Sequence, residues 1–413
     1  MHSLIARQPI LDRYESVYGY ELLSPAGVEE IWPPLNGGQT GGNASAGAPT
    51  FELIGDITDG ARAFIKCTRE ALVSGQAAML PPDRVVLEMP GTLEPDEEVL
   101  AACRHLKDAK FLIALADFQC AREDPLVELA DIIKLDITAS ADRTQWLLIR
   151  KHRPNGTLFV ADKVDKRNQF QAAVERGFSY FQGQFFCRPQ PYSTTDITPT
   201  RLVYLLVLGA VSRPEINVQE VANTIKHDLV LSYNLLRFLN SARFAFCARI
   251  KSIRHALLLL GQNEIRKWIG LISLTSLGEG APPILVTTAL IRAAFCESLA
   301  PLVGAPKRQS DYFFLGLLSS IDVLLGRPMR VVLAELPIAP DVGAALVGEQ
   351  NPLRDVLRVA ICYEQGNWQE FSQVARKLAV KEEKVCELYR QALRWSRELT
   401  QAEKDEPTEA RCS

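Results

Sequence analysis

The sequence predicts an α/β barrel followed by an all-helical domain. Short apolar runs that favour β-strands alternate with helical stretches through the first half of the chain. The strand signals nearly stop after Pro189–Pro199, a connector rich in Pro, Ser and Thr. Charged residues stand at the ends of two apolar runs, with Asp117 just past the first, and Lys134 and Asp136 at the second. Strands that end on charged residues are typical of the face of a barrel that carries chemistry.

A hairpin is predicted at the start of the first half, because residues 3–11 and Val17–Leu23 favour strands on either side of the polar turn Asp12–Glu15. Further strands are predicted at 63–67, 85–88, 111–115, 132–135, 158–161 and 180–182. Helices are predicted between them over 97–106, near 125–130, and over 141–150 and 166–176. The apolar strands favour a parallel sheet covered by helices, and this many units within about 190 residues favour closure into a barrel.

Helical signals dominate the second half. Asn217 is a candidate N-cap for a helix over 218–225, and residues 229–239 have the apolar spacing of an amphipathic helix. Ser252 is a candidate cap for the helix that Gly261 ends. Further helices are predicted around 284–303, 311–325, 353–365, 368–378 and 381–400.

These patterns divide the chain into domains. The barrel is expected over residues 1–190, with a flexible insert at 33–49 that is rich in Gly, Asn and Ser. A linker at 191–199 leads to a helical domain over 200–403, and a disordered tail is expected at 404–413.

The composition restricts the compartment and the partners. A formal net charge of -3 gives no general attraction to nucleic acid or to anionic membranes. The 9 cysteines are scattered singly, which favours neither a zinc site nor a disulfide framework. The apolar runs 202–211 and 256–260 are shorter than the roughly 18–20 residues that a membrane span needs, and no secretory signal is apparent at the N-terminus. We therefore expect a cytoplasmic protein that binds neither membrane nor nucleic acid.

Three stretches carry a resemblance to a known family: IARQPILDRYESVYGYELL at 5–23, ADIIKLD at 130–136, and Asn240–Ala242. Together they are similar to the two-domain EAL-HDOD signalling proteins of bacteria, the YuxH-like family. The resemblance covers about residues 2–400, with the 33–49 insert outside it. It implies a modified TIM-like barrel, the EAL domain, followed by an all-α HDOD domain.

The same resemblance implies a site at the barrel. Catalytic EAL domains hydrolyse one phosphodiester bond of cyclic-di-GMP with two divalent cations, which are held by carboxylates and an asparagine, and with a lysine near the attacking water. The family pattern is kept in this chain at Glu21, Glu88, Asp117, Lys134, Asp136 and Gln182. Lys66 stands in place of the asparagine, Ala116 in place of the first of the paired aspartates, and Asp162 in place of a glutamate.

These departures predict a barrel without catalysis. Lys66 puts a positive charge where Mg²⁺ would lie, and Ala116 removes a carboxylate that would offset the cost of dehydrating the cation. The expected function is signal transduction linked to cyclic-di-GMP regulation through an unidentified signalling protein, with cyclic-di-GMP as a candidate ligand and with no cofactor. The alternative is a cyclic-di-GMP phosphodiesterase with an altered metal site, which would use Mg²⁺.

Lys66 also has a structural interpretation. Its ammonium could lie among Glu21, Glu88 and Asp117 as a built-in cation, pairing carboxylates that would otherwise repel one another.

Two motifs in the second half favour structural roles. His227–Asp228 has the form of a metal-binding pair, but His255 is the other histidine of that half, so we interpret Asp228 as a helix N-cap. Asn240–Ala242 is interpreted as a helix C-cap. The segment 371–393 has a helix-turn-helix pattern, yet its basic and acidic residues nearly balance, so it is interpreted as ordinary helix packing.

Overall fold

The N-terminal part of the chain folds into a closed barrel of eight strands in sequential order. The structure is a computed structural model, and it describes residues 4–24, 54–117, 124–139, 142–187, 199–213, 215–226, 231–232, 253–336 and 338–404. The strands are β1 Ala6–Asp12, β2 Val17–Leu23, β3 Arg62–Lys66, β4 Val85–Pro90, β5 Leu112–Ala116, β6 Ile132–Asp136, β7 Leu158–Asp162 and β8 Tyr180–Gln182. The predicted alternation of strands and helices is confirmed.

Strand direction decides where the site forms. The predicted hairpin is present, so β1 runs antiparallel to β2, and it also pairs antiparallel with β8 to close the barrel. The other pairs, from β2 to β8, are parallel. The carboxyl ends of seven strands therefore meet at one end of the barrel, as in other barrels of parallel strands.

Apolar side chains fill the middle of the barrel. Six buried residues from six strands form its central cluster: Ile10, Phe64, Val86, Ala114, Ile132 and Val160. Tyr18 and Tyr180 pack against this cluster and stack on each other, with ring centroids 3.9 Å apart. Both tyrosines lie at the beginnings of their strands. The polar groups of the interior are therefore left to the carboxyl ends of the strands.

Helices alternate with the strands of the barrel. They are α1 Arg69–Val73, α2 Glu97–Asp108, α3 Pro125–Leu129, α4 Asp142–His152 and α5 Arg167–Arg176. Three of them begin with side-chain caps, in which Thr68, Asp96 and Asp124 accept hydrogen bonds from backbone N–H groups of the first turn.

The second half is helical, as predicted. Its α-helices are α6 Pro199–Ser212, α7 Val218–Lys226, α8 Ile253–Leu277, α9 Pro283–Leu299, α10 Gln309–Leu317, α11 Ile321–Leu325, α12 Met329–Ala334, α13 Pro340–Leu346, α14 Pro352–Glu364, α15 Trp368–Lys377 and α16 Glu382–Lys404. Asn217 caps α7 as expected, because its Oδ1 accepts from the N–H groups of Gln219 and Glu220. Gly261 interrupts α8 with a φ of 73°. The short helices α12 and α13 were not predicted, because six or seven residues hold too few turns to reveal a period.

Two units emerge from the contacts along the chain. The first is Met1–Arg188 together with Cys362–Glu370, and the second is Pro189–Ile361 together with Phe371–Ser413. Within the first unit, the fully buried Tyr363 donates a hydrogen bond from Oη to the carbonyl of Ile5 at 3.1 Å. Gly366 lies so close to Leu23 that a Cβ added at 366 would be 2.6 Å from Leu23 Cδ1. Cys362–Glu370 therefore packs as part of the barrel unit.

One helical stretch, Pro283–Val303, is long and apolar enough to cross a membrane by length and composition. The sequence analysis predicted a helix around 284–303 but did not consider it as a membrane span. Two observations match a helix packed in a protein core: 67% of its most apolar window is buried, and the buried Arg292 donates hydrogen bonds to Ser319 and Ser320.

Several predicted features lie outside the described residues. They are the 33–49 insert, the linker up to residue 198, the His227–Asp228 pair, the predicted helix 229–239 apart from residues 231–232, Asn240–Ala242, Ser252 and the tail beyond residue 404.

Candidate functional site

The predicted site residues all lie at the carboxyl end of the barrel, which we call the mouth. Glu21 is in β2 and Glu88 in β4, and Lys134 is in β6. Strand ends supply the others: Lys66 ends β3, Ala116 ends β5 and is followed by Asp117, Asp136 ends β6, Asp162 ends β7, and Gln182 ends β8. The register places Lys66 beside Glu88 and Asp136 beside Asp162 on neighbouring strands. The residues that the sequence placed at strand ends therefore lie together in the folded barrel.

Glu21 is the centre of the mouth. Its Oε2 accepts hydrogen bonds from Lys134 Nζ at 2.5 Å and from Gln182 Nε2 at 2.6 Å, and its Oε1 lies 3.3 Å from Lys66 Nζ. Burial acts to raise the pKa of Glu21, but the charges of Lys134 and Lys66 outweigh it and lower the pKa to about 2. Glu21 is therefore a carboxylate at neutral pH, with both oxygens engaged by donors of this chain.

Lys134 pairs with more than one carboxylate. Its side chain is 7% exposed, and its Nζ lies 3.7 Å from Glu88 Oε1 and 4.0 Å from Asp162 Oδ2, in addition to the bond with Glu21. Burial acts to lower the pKa of Lys134, but the negative charges of Glu21, Glu88 and Asp162 raise it above its usual value. The ammonium is thus a permanent positive charge inside the barrel.

Glu88 is a buried residue of the mouth whose carboxylate oxygens lack hydrogen-bond donors among the residues that the structure describes. Its side chain is 1% exposed, and neither carboxylate oxygen accepts a hydrogen bond from the described part of the chain. Burial and the neighbouring charge of Glu21 raise the pKa of Glu88 to about 7, against the opposing effect of Lys134. This carboxyl group therefore changes protonation near neutral pH.

A second group of charges lies on the solvent side of the mouth. Lys163 Nζ donates to Asp136 Oδ2 at 2.7 Å, and the backbone N–H of Lys163 donates to Asp162 Oδ1 at 2.8 Å. The N–H and the hydroxyl of Thr138 both donate to the other oxygen of Asp136. The hydrogen bond to Asp136 raises the pKa of Lys163, and the charge of Asp117 adds to the effect. Asp136 is therefore already paired with groups of this chain.

The backbone at this side of the mouth is unusual. Asp117, directly after β5, has a φ of 53°, and Lys163, directly after β7, has a φ of 58°. Residues other than glycine rarely adopt this left-handed backbone conformation, and such strained residues are common at functional sites. The conformation lets the N–H of Lys163 reach Asp162.

The sequence analysis missed Lys163. The sequence did contain an indication, since Lys163 directly follows Asp162, which ends a barrel strand. The direction of a side chain beyond a strand end, however, does not follow from the strand pattern. Gln8 was also missed: its Oε1 accepts a hydrogen bond from Gln182 Nε2 at 2.9 Å. For Lys66, the expected ion pair with Glu21 is present, whereas Asp117 contributes its charge to Lys163.

The residues present do not fit a pair of divalent cations. Two oxygen-rich metal sites need free carboxylate oxygens, yet Glu21 is engaged by two ammonium groups and Asp136 by Lys163. Ala116 offers only its backbone carbonyl, which accepts from Gly91 N at 2.5 Å. Within the described residues, no group of three or more His, Cys, Asp or Glu is arranged to hold a metal ion.

The helix-turn-helix pattern of 371–393 corresponds to α15 and α16. Each helix buries apolar side chains, with Phe371 and Val374 on the first and Val385 and Tyr389 on the second. Their burial matches the interpretation as helix packing.

Comparison with known proteins finds relatives that match this chain over nearly its whole length. Residues 198–329 match the HDOD domain family. The chain is 32% identical over 411 residues to the uncharacterized protein YuxH of Bacillus subtilis, with 97% of this chain and 100% of YuxH covered. It is 28% identical over 407 residues to the cyclic di-GMP phosphodiesterase CdgJ of Vibrio cholerae, with 96% of this chain and 92% of CdgJ covered.

Solved structures of EAL domains are also similar. An EAL domain protein from Listeria monocytogenes matches at 21% identity with a TM-score of 0.33, covering 46% of this chain and 89% of that chain. The FimX EAL domain of Pseudomonas aeruginosa, bound to c-di-GMP, matches at 16% identity with a TM-score of 0.32, covering 45% and 89%.

The full-length match to YuxH and the HDOD domain in the second half agree with the barrel and the helical unit described above. The chain belongs to the YuxH-like family of EAL-HDOD proteins.

Proposed function

We propose that the protein is a non-catalytic signal-transduction protein, linked to cyclic-di-GMP regulation, that acts by binding another signalling protein in the cytoplasm. The carrying observation is the position of Lys66, whose ammonium lies 3.3 Å from Glu21 at the point where a catalytic barrel would need an uncharged ligand for a divalent cation. The named activity of CdgJ supports the link to cyclic-di-GMP. The protein would need no cofactor.

Loss of catalysis follows from the charges of the mouth. Hydrolysis of a phosphodiester with two metals requires cations that clamp the attacking and leaving oxygens. An ammonium cannot replace that clamp, because it donates hydrogen bonds and does not generate a metal-bound nucleophile. Cyclic-di-GMP remains a candidate ligand, since base and sugar contacts do not depend on metals.

The alternative is a cyclic-di-GMP phosphodiesterase with an altered metal site. Two observations favour it: CdgJ, 28% identical, is named as such an enzyme, and Glu88 keeps two buried oxygens without hydrogen bonds from the described residues. In that case Mg²⁺ would bind at Glu88 and displace Lys66 from the mouth.

A hydrolysis assay separates the two functions. The purified full chain is incubated with cyclic-di-GMP and either Mg²⁺ or Mn²⁺, and the linear dinucleotide is quantified. We expect no product above that of a Glu21→Gln variant purified in the same way, which reports contaminating activity. Product formed by the natural chain and lost in the variant would establish the alternative.

The interaction itself is tested by affinity capture from the native cell, with and without added cyclic-di-GMP. We expect a protein partner whose capture is abolished when competing untagged chain is added. If the second messenger is sensed, the captured amount changes with its concentration.

A further inference from the structure

Three lysines surround the carboxylates of the mouth. Among the described residues that the site contains, the carboxylates are Glu21, Glu88, Asp117, Asp136 and Asp162, and the ammonium groups are those of Lys66, Lys134 and Lys163. Lys134 belongs to the family pattern, whereas Lys66 replaces a neutral residue and Lys163 lies outside that pattern. Lys66 and Lys163 therefore add two positive charges to an acidic site.

Lys66 lies close to the buried carboxylates Glu21 and Glu88. It ends β3 beside Glu88 on β4, and its Nζ lies 3.3 Å from Glu21 Oε1. Its side chain is 50% exposed, so the ammonium reaches the mouth from the solvent side. Burial acts to lower the pKa of Lys66, but Glu21 and then Glu88 raise it above its usual value. Lys66 thus offsets the negative charge of two carboxylates.

Lys163 serves the outer carboxylates. Its Nζ is bonded to Asp136, which lies beside Asp162 in the register of β6 and β7. The backbone N–H of the same residue is bonded to Asp162. Lys66 thus lies between the carboxylates of β2 and β4, on the strand that separates them, whereas Lys163 lies at the carboxylates of the neighbouring strands β6 and β7. The two pairs of carboxylates are different.

We propose that Lys66 and Lys163 are resident cations, which offset the charge of the mouth in place of bound divalent metal ions and exclude such ions from it. Exclusion follows from two effects. A metal ion at Glu21 would have to displace an ammonium from its oxygen, and it would meet a like charge within a few ångströms. The proposal deepens the proposed function, because it gives the physical reason for the absence of metal-dependent catalysis.

The test compares metal binding by the full-length protein and its variants. Thermal melting is measured in EDTA, in Mg²⁺ and in Mn²⁺, and Mn²⁺ binding is measured by titration calorimetry. The natural chain is expected to melt at the same temperature in all three conditions. Lys66→Asn combined with Ala116→Asp restores two oxygen donors, and we expect it to bind Mn²⁺ at least roughly tenfold more tightly and to melt several degrees higher with Mn²⁺ than with EDTA.

The control is Lys151→Asn, which removes an exposed lysine from the last turn of α4, the end of that helix directed away from the mouth. It should behave like the natural chain. A second variant, Lys66→Met, removes the charge without adding a donor. It should melt at a lower temperature than the natural chain in EDTA, and it distinguishes loss of the resident cation from failure of the double variant to fold.

Two outcomes would overturn the proposal. One is stabilisation of the natural chain by Mg²⁺ or Mn²⁺ by as much as the double variant. The other is an unchanged melting temperature for Lys66→Met together with no metal response in a folded double variant. A natural chain that binds metal without hydrolysing cyclic-di-GMP would refute the resident cations and leave the non-catalytic function standing, so the two proposals can fail separately.

Discussion

Lys134 Nζ and Glu21 Oε2 are 2.5 Å apart at the mouth of the barrel, and both side chains are more than nine-tenths buried. Their strands are separated by most of the barrel sequence, so this ion pair forms only when β2 and β6 are both in place. Buried pairs of this kind add little to stability when intact, but removal of one partner leaves an uncompensated charge.

Lys134→Met is therefore expected to destabilise the protein by about 3–5 kcal/mol, because Glu21 and Asp162 would lose their buried counter-charge. Chemical denaturation followed by circular dichroism measures the effect. Lys151→Met, a change at an exposed helical position, is the matched control and should alter stability by less than about 0.5 kcal/mol. Equal effects of the two substitutions would contradict the central role of Lys134.

Glu88 predicts a specific dependence on pH. Its pKa rises from 4.5 to about 7 on folding, so the folded state holds a proton that the unfolded state has lost within this window. The contribution of Glu88 to the free energy of unfolding is therefore largest below about pH 4.5 and is lost as the pH rises through about 7. Glu88→Gln should therefore gain stability relative to the natural chain between pH 5 and 8, by up to about 3 kcal/mol.

The measurement is denaturation of both proteins at pH 5 and at pH 8. Glu21, whose pKa is lowered to about 2, stays ionised between pH 5 and pH 8 and does not titrate in this window. A stability difference that is the same at the two pH values would show that Glu88 does not titrate in this range.

Gly183→Ala should disturb the site through the backbone. Gly183 has a φ of 145°, and an added Cβ would lie 2.2 Å from the carbonyl oxygen of Val164. The neighbouring Gln182, which donates to Glu21, would have to move. We expect a loss of about 2–3 kcal/mol or more, measured by denaturation. Gly156→Ala is the control, because Gly156 has a similarly positive φ but no atom near its Cβ position, and it should cost less.

Asn217→Ala tests the helical unit. Asn217 caps α7 by accepting hydrogen bonds from two N–H groups of its first turn. Loss of the cap should cost about 1 kcal/mol, measured by the same denaturation. Asn217→Ser keeps a capping oxygen and should restore most of the stability; a serine variant as unstable as the alanine variant would argue against capping.

The mouth was predictable because its chemistry follows the strand ends. Apolar runs that end on Lys134, Asp136 and Asp162 reveal both the strand and its carboxyl end, and in a parallel barrel these ends share one face. What the sequence could not supply was the direction of side chains beyond the last strand residue. Lys163 reaches Asp136 from a left-handed backbone conformation, which no pattern of apolar residues encodes.

The protonation of the buried glutamates could not be predicted from the sequence either. Glu88 and Glu21 are both glutamates in barrel strands, yet one has a raised pKa and the other a lowered one. The difference depends on which carboxylate receives the lysine ammonium groups at short distance, and this is set by packing across the barrel.

The segment Cys362–Glu370 has a consequence for how the protein is made. Tyr363 contacts Ile5 and Gly366 contacts Leu23, so the barrel unit joins residues that are more than 300 positions apart in the sequence. During translation, the barrel strands leave the ribosome long before this segment exists. The first unit reaches its full set of contacts only after residue 370 has emerged, by which time residues 189–361 of the second unit have also been synthesised.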